Sequence, residues 1–123
     1  MTGRVTAGDI RLELRVLAAN GVAHAVEVVL DTGFEGELAL PGSLLATLGA
    51  ASRGAAGFSL ADGTPVMGGL YSLVIEWEGM PRVVEVVDIA SEPLAGLELI
   101  RNHHLEADII AGGQVIITTL SNP

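Results

Sequence analysis

The stretch VVLDTGFEGELAL, residues 28–40, is central to this chain because it places a carboxylate where a strand pattern should continue. Asp31 directly follows three apolar residues, and Thr32 and Gly33 separate it from a second strand-like run at residues 37–40. An Asp that ends a strand before Thr-Gly is often a turn former, because its side chain binds nearby backbone amides. The letters DTG alone therefore leave two interpretations open, a structural turn and a chemically active acid.

The residues before this stretch predict a β-hairpin. Residues 10–16 alternate between apolar and charged side chains, which is typical of a half-buried strand. Asn20-Gly21 is a strong signal for a hairpin turn. The second strand is predicted over residues 22–30, with one face made of Val22, His24, Val26, Val28 and Leu30. Asp31 then ends this strand.

The residues directly after the stretch predict a short helix and a loose connection. Pro41 is tolerated in a first helical turn, so a helix is predicted at residues 42–48, and Gly49 is its predicted stop. The segment at residues 50–57 is small and Gly-rich, and it is interpreted as a mobile connection. The pair Asp62-Gly63 predicts another hairpin tip.

The second half of the chain continues with short strands separated by turns. Strands are predicted at residues 70–77, 82–89, 106–110 and 114–119, and about two helical turns at residues 97–103. Glycines lie between the members of each strand pair. Many short strands at this spacing predict an all-β fold, either a small barrel or a sandwich.

Length and composition favour a single domain that covers residues 1–123. Half of the residues are apolar, yet no apolar run approaches the roughly 18 residues that a membrane helix needs. The first residues contain no apolar core of a secretory signal. The chain has no cysteine, which excludes disulfides and thiol catalysis and fits a reducing compartment. A cytoplasmic location is therefore expected.

The charge balance argues against two classes of partner. Fifteen acidic residues against six basic ones give a formal net charge of −9. Such a surface repels phosphate backbones and anionic membranes, so binding to nucleic acid or to a membrane is not expected. Aromatic residues make up only 3% of the chain, which leaves few side chains for base stacking.

The order of these segments resembles the retropepsin-like aspartic peptidases, in particular a small prokaryotic single-domain group whose motif reads DTGF. The resemblance extends from about residue 26 to residue 117. LDTGF is followed by ELALPGSLLATLG, by the flap-like FSLADGTPV and by two strands in YSLVIEWEGMPRVVEVV. PLAGLELIRNHHLEADI then resembles the apolar-apolar-Gly segment of the family and the helix after it. The implied fold is a retropepsin-like closed β-barrel with one or two short helices that forms a twofold dimer.

The resemblance implies an endopeptidase that uses two carboxylates and an activated water. Two acids about 3 Å apart share one proton, because both cannot be ionised at once. The ionised acid takes a proton from water, and the neutral acid donates to the carbonyl of the scissile peptide. The chain contains a single DTG, so the second Asp31 must come from a second copy on a twofold axis. No metal or organic cofactor is implied, and the substrate is a peptide or protein.

The resemblance also assigns supporting roles around the catalytic Asp31. Thr32 would bond across the dimer axis, and Gly33 would let the backbone approach the substrate. The flap over the substrate would carry Ala61, Asp62 and Gly63 at its tip. The segment beneath the active loop would be formed by Leu94, Ala95 and Gly96.

Phe34 departs from the wider peptidase pattern, in which a small residue follows DTG. A Ser or Thr at this position can bond the catalytic carboxylate, and Phe34 cannot, although the DTGF group shares this feature. The alternative is therefore a weak or inactive dimeric module that binds peptides on the same fold. A further possibility is a peptidase that processes one specific partner protein.

Other polar residues in the chain have simpler interpretations. His103 and His104 lie near Glu106 and Asp108, but adjacent histidines point in different directions and rarely bind one ion. No metal site is therefore predicted. Asp62 is either a turn residue or, if the flap interpretation is right, a residue that reaches the substrate.

Overall fold

The computed structural model describes residues 1–59 and 62–121. Strands in this part of the chain are Thr2–Thr6 (β1), Asp9–Leu17 (β2), Ala23–Leu30 (β3), Leu38–Ala39 (β4), Ala51–Ser59 (β5), Pro65–Trp77 (β6), Met80–Val87 (β7), Leu94–Ala95 (β8), His103–Ala107 (β9) and Gln114–Thr119 (β10). An α-helix, Gly42–Leu48 (α1), and a 3₁₀ helix, Leu97–Ile100, complete the described structure.

The strands form one sheet in the order β5-β6-β7-β4-β8-β3-β2-β1-β10-β9. Most neighbours are antiparallel, whereas β3 with β8 and β4 with β7 are parallel. β2 also pairs with β6, which links two distant parts of the sheet. β5 and β9 remain as edges, so a clear closed barrel is not formed. The predicted all-β class is confirmed as a mostly β fold, and the predicted closed barrel is not confirmed.

Alternation along the strands buries a purely apolar core. Among the described residues, every side chain that is fully buried is apolar. β2 supplies Leu12, Leu14 and Val16, each with no exposed surface, as its period-two pattern predicted. The helix α1 adds Leu45 and Leu48 to the same cluster.

The predicted turns around β3 and α1 are present in the structure. Gly21 has a φ of 83°, and the Asn20 side chain accepts a hydrogen bond from the Val22 N–H at 3.0 Å. The helix α1 has the predicted bounds, and Gly49 ends it in the left-handed conformation with a φ of 66°. The helices in the described residues are too short to cross a membrane.

The segment at residues 50–57 is not a loose connection, and this prediction was wrong. Residues 51–57 belong to β5, which pairs with β6 from Ala51 opposite Ser72 to Ser59 opposite Pro65. Most of its side chains are exposed, so no apolar alternation marks it as a strand. Cross-strand backbone hydrogen bonds to β6, rather than side-chain burial, therefore define this strand.

The helix predicted at residues 97–103 was too long. The 3₁₀ helix ends at Ile100, and β9 begins at His103 because its backbone pairs with β10. The predicted strand at residues 106–110 is displaced for the same reason, since β9 ends at Ala107. The strand predicted at residues 37–40 shortens to Leu38–Ala39.

Candidate active site

Asp31 lies at the carboxyl end of β3, in a loop that is partly exposed. Its backbone N–H donates a hydrogen bond to the Ala95 carbonyl oxygen at 2.8 Å. Its Oδ1 accepts a hydrogen bond from the Gly33 N–H at 2.9 Å, and its carbonyl accepts one from the Phe34 N–H at 3.1 Å. The turn interpretation thus describes the local structure correctly. The other carboxylate oxygen of Asp31, Oδ2, has no hydrogen-bond partner in the described part of the chain.

The segment from Leu94 to Gly96 lies directly against this loop. β8 pairs in parallel with the end of β3, with Leu94 opposite Val29 and Ala95 opposite Leu30. The Gly96 N–H donates to the Glu37 carbonyl oxygen at 2.9 Å. The Leu97 N–H donates to the Phe34 carbonyl oxygen at 3.1 Å. Two stretches that are far apart in sequence, residues 31–37 and 94–97, are therefore joined around Asp31.

Gly96 is required by this close approach. A Cβ atom at position 96 would lie 2.6 Å from the Phe34 carbonyl oxygen and would also overlap the Gly36 carbonyl oxygen. The Phe34 ring packs on the same spot, because that Cβ would lie 2.8 Å from its Cδ2 atom. The Phe34 ring thus packs against both Gly36 and Gly96. Thr32 and Gly33 are exposed at the outer side of the loop.

The predicted flap tip lies at the turn between β5 and β6. Ala61 falls outside the described residues, whereas Asp62 and Gly63 lie in the turn, and Gly63 has a φ of 86°. Hydrogen bonds from the Thr64 side chain and from the Thr64 N–H hold the pKa of Asp62 below its ordinary value. Asp62 is therefore a turn-forming residue in this structure. In the described residues, no hydrogen bond joins this turn to the Asp31 loop.

A half-buried ion pair next to the loop was missed by the sequence analysis. The Arg82 Nη2 atom lies 2.9 Å from the Glu37 Oε2 atom, and the side chains are 27% and 20% exposed. The second guanidinium nitrogen, Nη1, donates to the Leu99 carbonyl oxygen at 2.8 Å. The signal for this pair in the sequence is Arg82, a charged residue within the apolar strand β7. It does not indicate that Glu37 is the partner.

The histidines near the C-terminal strands are engaged in separate contacts. The His103 Nε2 atom lies 3.0 Å from Nε1 of Trp77, and its Nδ1 atom lies 2.8 Å from the Arg101 carbonyl oxygen. His104 instead faces Glu106 at 3.9 Å. Within residues 1–59 and 62–121, no group of three or more acidic or histidine side chains is arranged to hold a metal ion.

Replacing Gly96 with alanine tests the close contact beneath Asp31. Gly96→Ala should lower the free energy of unfolding by about 1–3 kcal/mol or more, because the new methyl group meets backbone oxygens that cannot move away easily. Urea unfolding at one fixed protein concentration measures this change. Gly42→Ala is the matched control, since nothing lies within 4 Å of its added Cβ. Equal stability of both variants would contradict the close packing at Gly96.

Titration of Asp62 tests the structure of the predicted flap tip. Its lowered pKa favours the carboxylate in the folded turn, so this support is present above the ordinary pKa and is lost as the pH falls through the lowered value. Thr64→Ala should raise the pKa of Asp62 toward the ordinary value, because the side-chain donor is removed. Carboxyl NMR titration measures the shift. An unchanged pKa would show that the Thr64 hydroxyl does not stabilise the Asp62 carboxylate in this turn.

Comparison with solved structures places this arrangement in a known fold. A retropepsin-like aspartic protease from Rickettsia conorii superposes with a TM-score of 0.64 at 13% identity, over 96% of this chain and 89% of that chain. The EIAV protease, in complex with the inhibitor HBY-793, superposes with a TM-score of 0.55 at 20% identity, over 74% of this chain and 86% of that one. No protein-family model matches the chain, and no curated protein matches it by sequence. The two structures show that the chain has a retropepsin-like fold.

Proposed function

We propose that this chain is an aspartic endopeptidase that acts as a homodimer, with Asp31 of each copy forming the catalytic pair. The observation that carries the proposal is the position of Asp31. It ends a core strand of a retropepsin-like fold, and its carboxylate is oriented by the Gly33 N–H at 2.9 Å. The chain is similar in fold to two structures that are proteases by name.

The need for a second chain follows from the acids around Asp31. The reaction uses two carboxylates, and in the described residues Asp31 is bonded to no other acid. Thr32 and Gly33, which directly follow Asp31, are exposed and could meet the same loop of a second copy. A twofold axis beside this loop would bring two Asp31 side chains together without any further residue from the chain.

The proposed reaction is a direct attack of water on the peptide. One Asp31 carboxylate removes a proton from water as the water oxygen bonds to the carbonyl carbon, and the neutral Asp31 protonates the carbonyl oxygen. The tetrahedral intermediate then collapses: the neutral Asp31 protonates the amine nitrogen, the C–N bond breaks, and the ionised Asp31 takes one hydroxyl proton of the intermediate, so that the pair again holds one proton. The pair must therefore hold one proton at the start of each turnover.

The substrate is proposed to be an extended peptide held between the Asp31 loop and the β5–β6 hairpin. β5 pairs with β6 on one side only, so its other edge offers free backbone groups. An extended chain can be recognised through such groups with little dependence on its side chains.

A peptide-binding module without efficient catalysis is the second candidate. Phe34 favours it, because its ring packs against Gly36 and Gly96 and supplies no hydroxyl to Asp31. The two candidates differ in a measurable way. Both would bind extended peptides, but only the peptidase would release new amino termini.

Asp31→Asn should reduce peptide cleavage to background, a fall of at least about a thousandfold, because both copies lose the ionisable acid. Release of new amino termini from a mixed peptide library, followed over a pH series, measures the rate. Wild-type activity should decline as the pH rises, since the pair then loses the proton that it must donate.

Asp108→Asn is the matched control for this experiment, because Asp108 also ends a strand before a turn and is exposed. It should retain the wild-type rate. Cleavage by Asp31→Asn at the wild-type rate would exclude Asp31 as the catalyst. If neither the wild type nor Asp31→Asn cleaves peptides at any pH, but both bind library peptides, the binding module becomes the better description.

A further inference from the structure

Glu37 connects the Asp31 loop to the strand β7 through its side chain. Its Oε2 atom lies 2.9 Å from Nη2 of Arg82, and its Oε1 atom accepts the Glu85 N–H at 2.9 Å. Both carboxylate oxygens are thus bonded to β7. The backbone carbonyl of the same residue accepts the Gly96 N–H at 2.9 Å. We call the set of Glu37, Arg82, Glu85 and Leu99 the Glu37 clasp.

Arg82 extends the clasp to the 3₁₀ helix. Its Nη1 atom donates to the Leu99 carbonyl oxygen at 2.8 Å while Nη2 binds Glu37. The guanidinium carbon lies 5.2 Å from the ring centroid of Trp77, which covers one face of the charge. A rigid fork with several donors can bind two acceptors at fixed positions, whereas a lysine ammonium cannot reproduce this geometry.

The clasp is better shielded from water than the other ion pairs of the described residues. The Glu37 and Arg82 side chains are 20% and 27% exposed, whereas those of Arg15 and Glu76, for example, are 66% and 47% exposed. Shielding strengthens the attraction between the charges and raises the cost of separating them. The clasp is therefore a firm point of attachment rather than a solvated surface pair.

The clasp holds the groups that fix the backbone of Asp31. Ala95, which accepts the Asp31 N–H, precedes the Gly96 that is bonded to Glu37. Leu97 in turn donates to the Phe34 carbonyl oxygen, and the 3₁₀ helix that begins there ends near the Leu99 carbonyl held by Arg82. Loss of the clasp would release both sides of the Asp31 loop together.

We propose that Glu37 and Arg82 are positioning residues that hold the Asp31 loop in the geometry needed for cleavage. The catalytic part of this inference rests on the proposed function of Asp31, whereas the structural part does not. Small displacements of reacting groups can lower a rate about a hundredfold without loss of the fold. Removal of the clasp should therefore affect turnover more than peptide binding.

Arg82→Met tests this role, because it removes both hydrogen bonds but keeps an apolar stem against Trp77. Amide hydrogen exchange at Asp31, Gly96 and Leu97 should accelerate about tenfold or more relative to Leu14 in the core strand β2. The kcat should fall about tenfold to a hundredfold, with less than about a threefold change in KM. Arg82→Lys should show a smaller change of the same kind and serves as the informative variant if Arg82→Met does not fold.

Arg15→Met is the control, since it breaks the exposed pair with Glu76 and should change neither measurement. Unchanged amide exchange at Asp31, Gly96 and Leu97 in Arg82→Met would overturn the inference, whatever the peptidase activity of the variant is. An equal rise at Leu14 would also overturn it, because the clasp would then stabilise only the whole fold. A normal kcat despite faster loop exchange would refute the positioning role.

A wild-type protein that cleaves no peptide would refute the proposed function and with it the catalytic part of the inference. The exchange measurement would still decide whether the clasp holds the Asp31 loop, so the two failures are distinguishable.

Discussion

The contact between Gly96 and the loop of Asp31 is the constraint on which the candidate site depends. Position 96 has no room for a Cβ atom, because the carbonyl oxygens of Phe34 and Gly36 occupy that space. This close approach lets Ala95 accept the Asp31 N–H and lets Gly96 donate to Glu37. The backbone of the acid is thus fixed by residues far away in sequence, and its side chain remains at the surface.

The parallel strand pairs supply the frame for this contact. β8 runs parallel to β3 and antiparallel to β4, while β4 runs parallel to β7. Two very short strands, Leu38–Ala39 and Leu94–Ala95, therefore link the ends of two long core strands. The Glu37 clasp lies beside this junction and adds charge to a region otherwise held by backbone hydrogen bonds and apolar packing. Backbone geometry and electrostatics act on the same loop.

Much of this structure was predictable from local patterns. The alternation in β2, the Asn20-Gly21 turn, and the Pro41 and Gly49 limits of α1 each follow from chemistry within a few residues. The DTGF motif and the order of the later segments pointed to the retropepsin-like fold, which the solved structures support. Local sequence carries such features because each depends on one turn, one cap or one strand face.

Features that depend on distant or exposed residues were not predictable. β5 is exposed along most of its length, so its strand pairing leaves no apolar pattern in the sequence. Glu37 and Arg82 are 45 residues apart, and nothing local indicates that they meet. β9 pairs with β10 from His103 to Ala107, and residues 97–103 alone do not indicate this pairing, so the preceding helix was predicted too long.

Mixing wild-type protein with Asp31→Asn tests most directly whether two copies of Asp31 share one active site. The amount of wild-type chain is held constant, increasing amounts of the variant are added, and peptide cleavage is followed after the subunits have exchanged. With an equal amount of variant the rate should fall to about half, because about half of the wild-type chains then pair with an inactive partner. A larger excess should lower it further toward zero. A rate that stays constant at every ratio after complete subunit exchange would contradict a site shared between two chains.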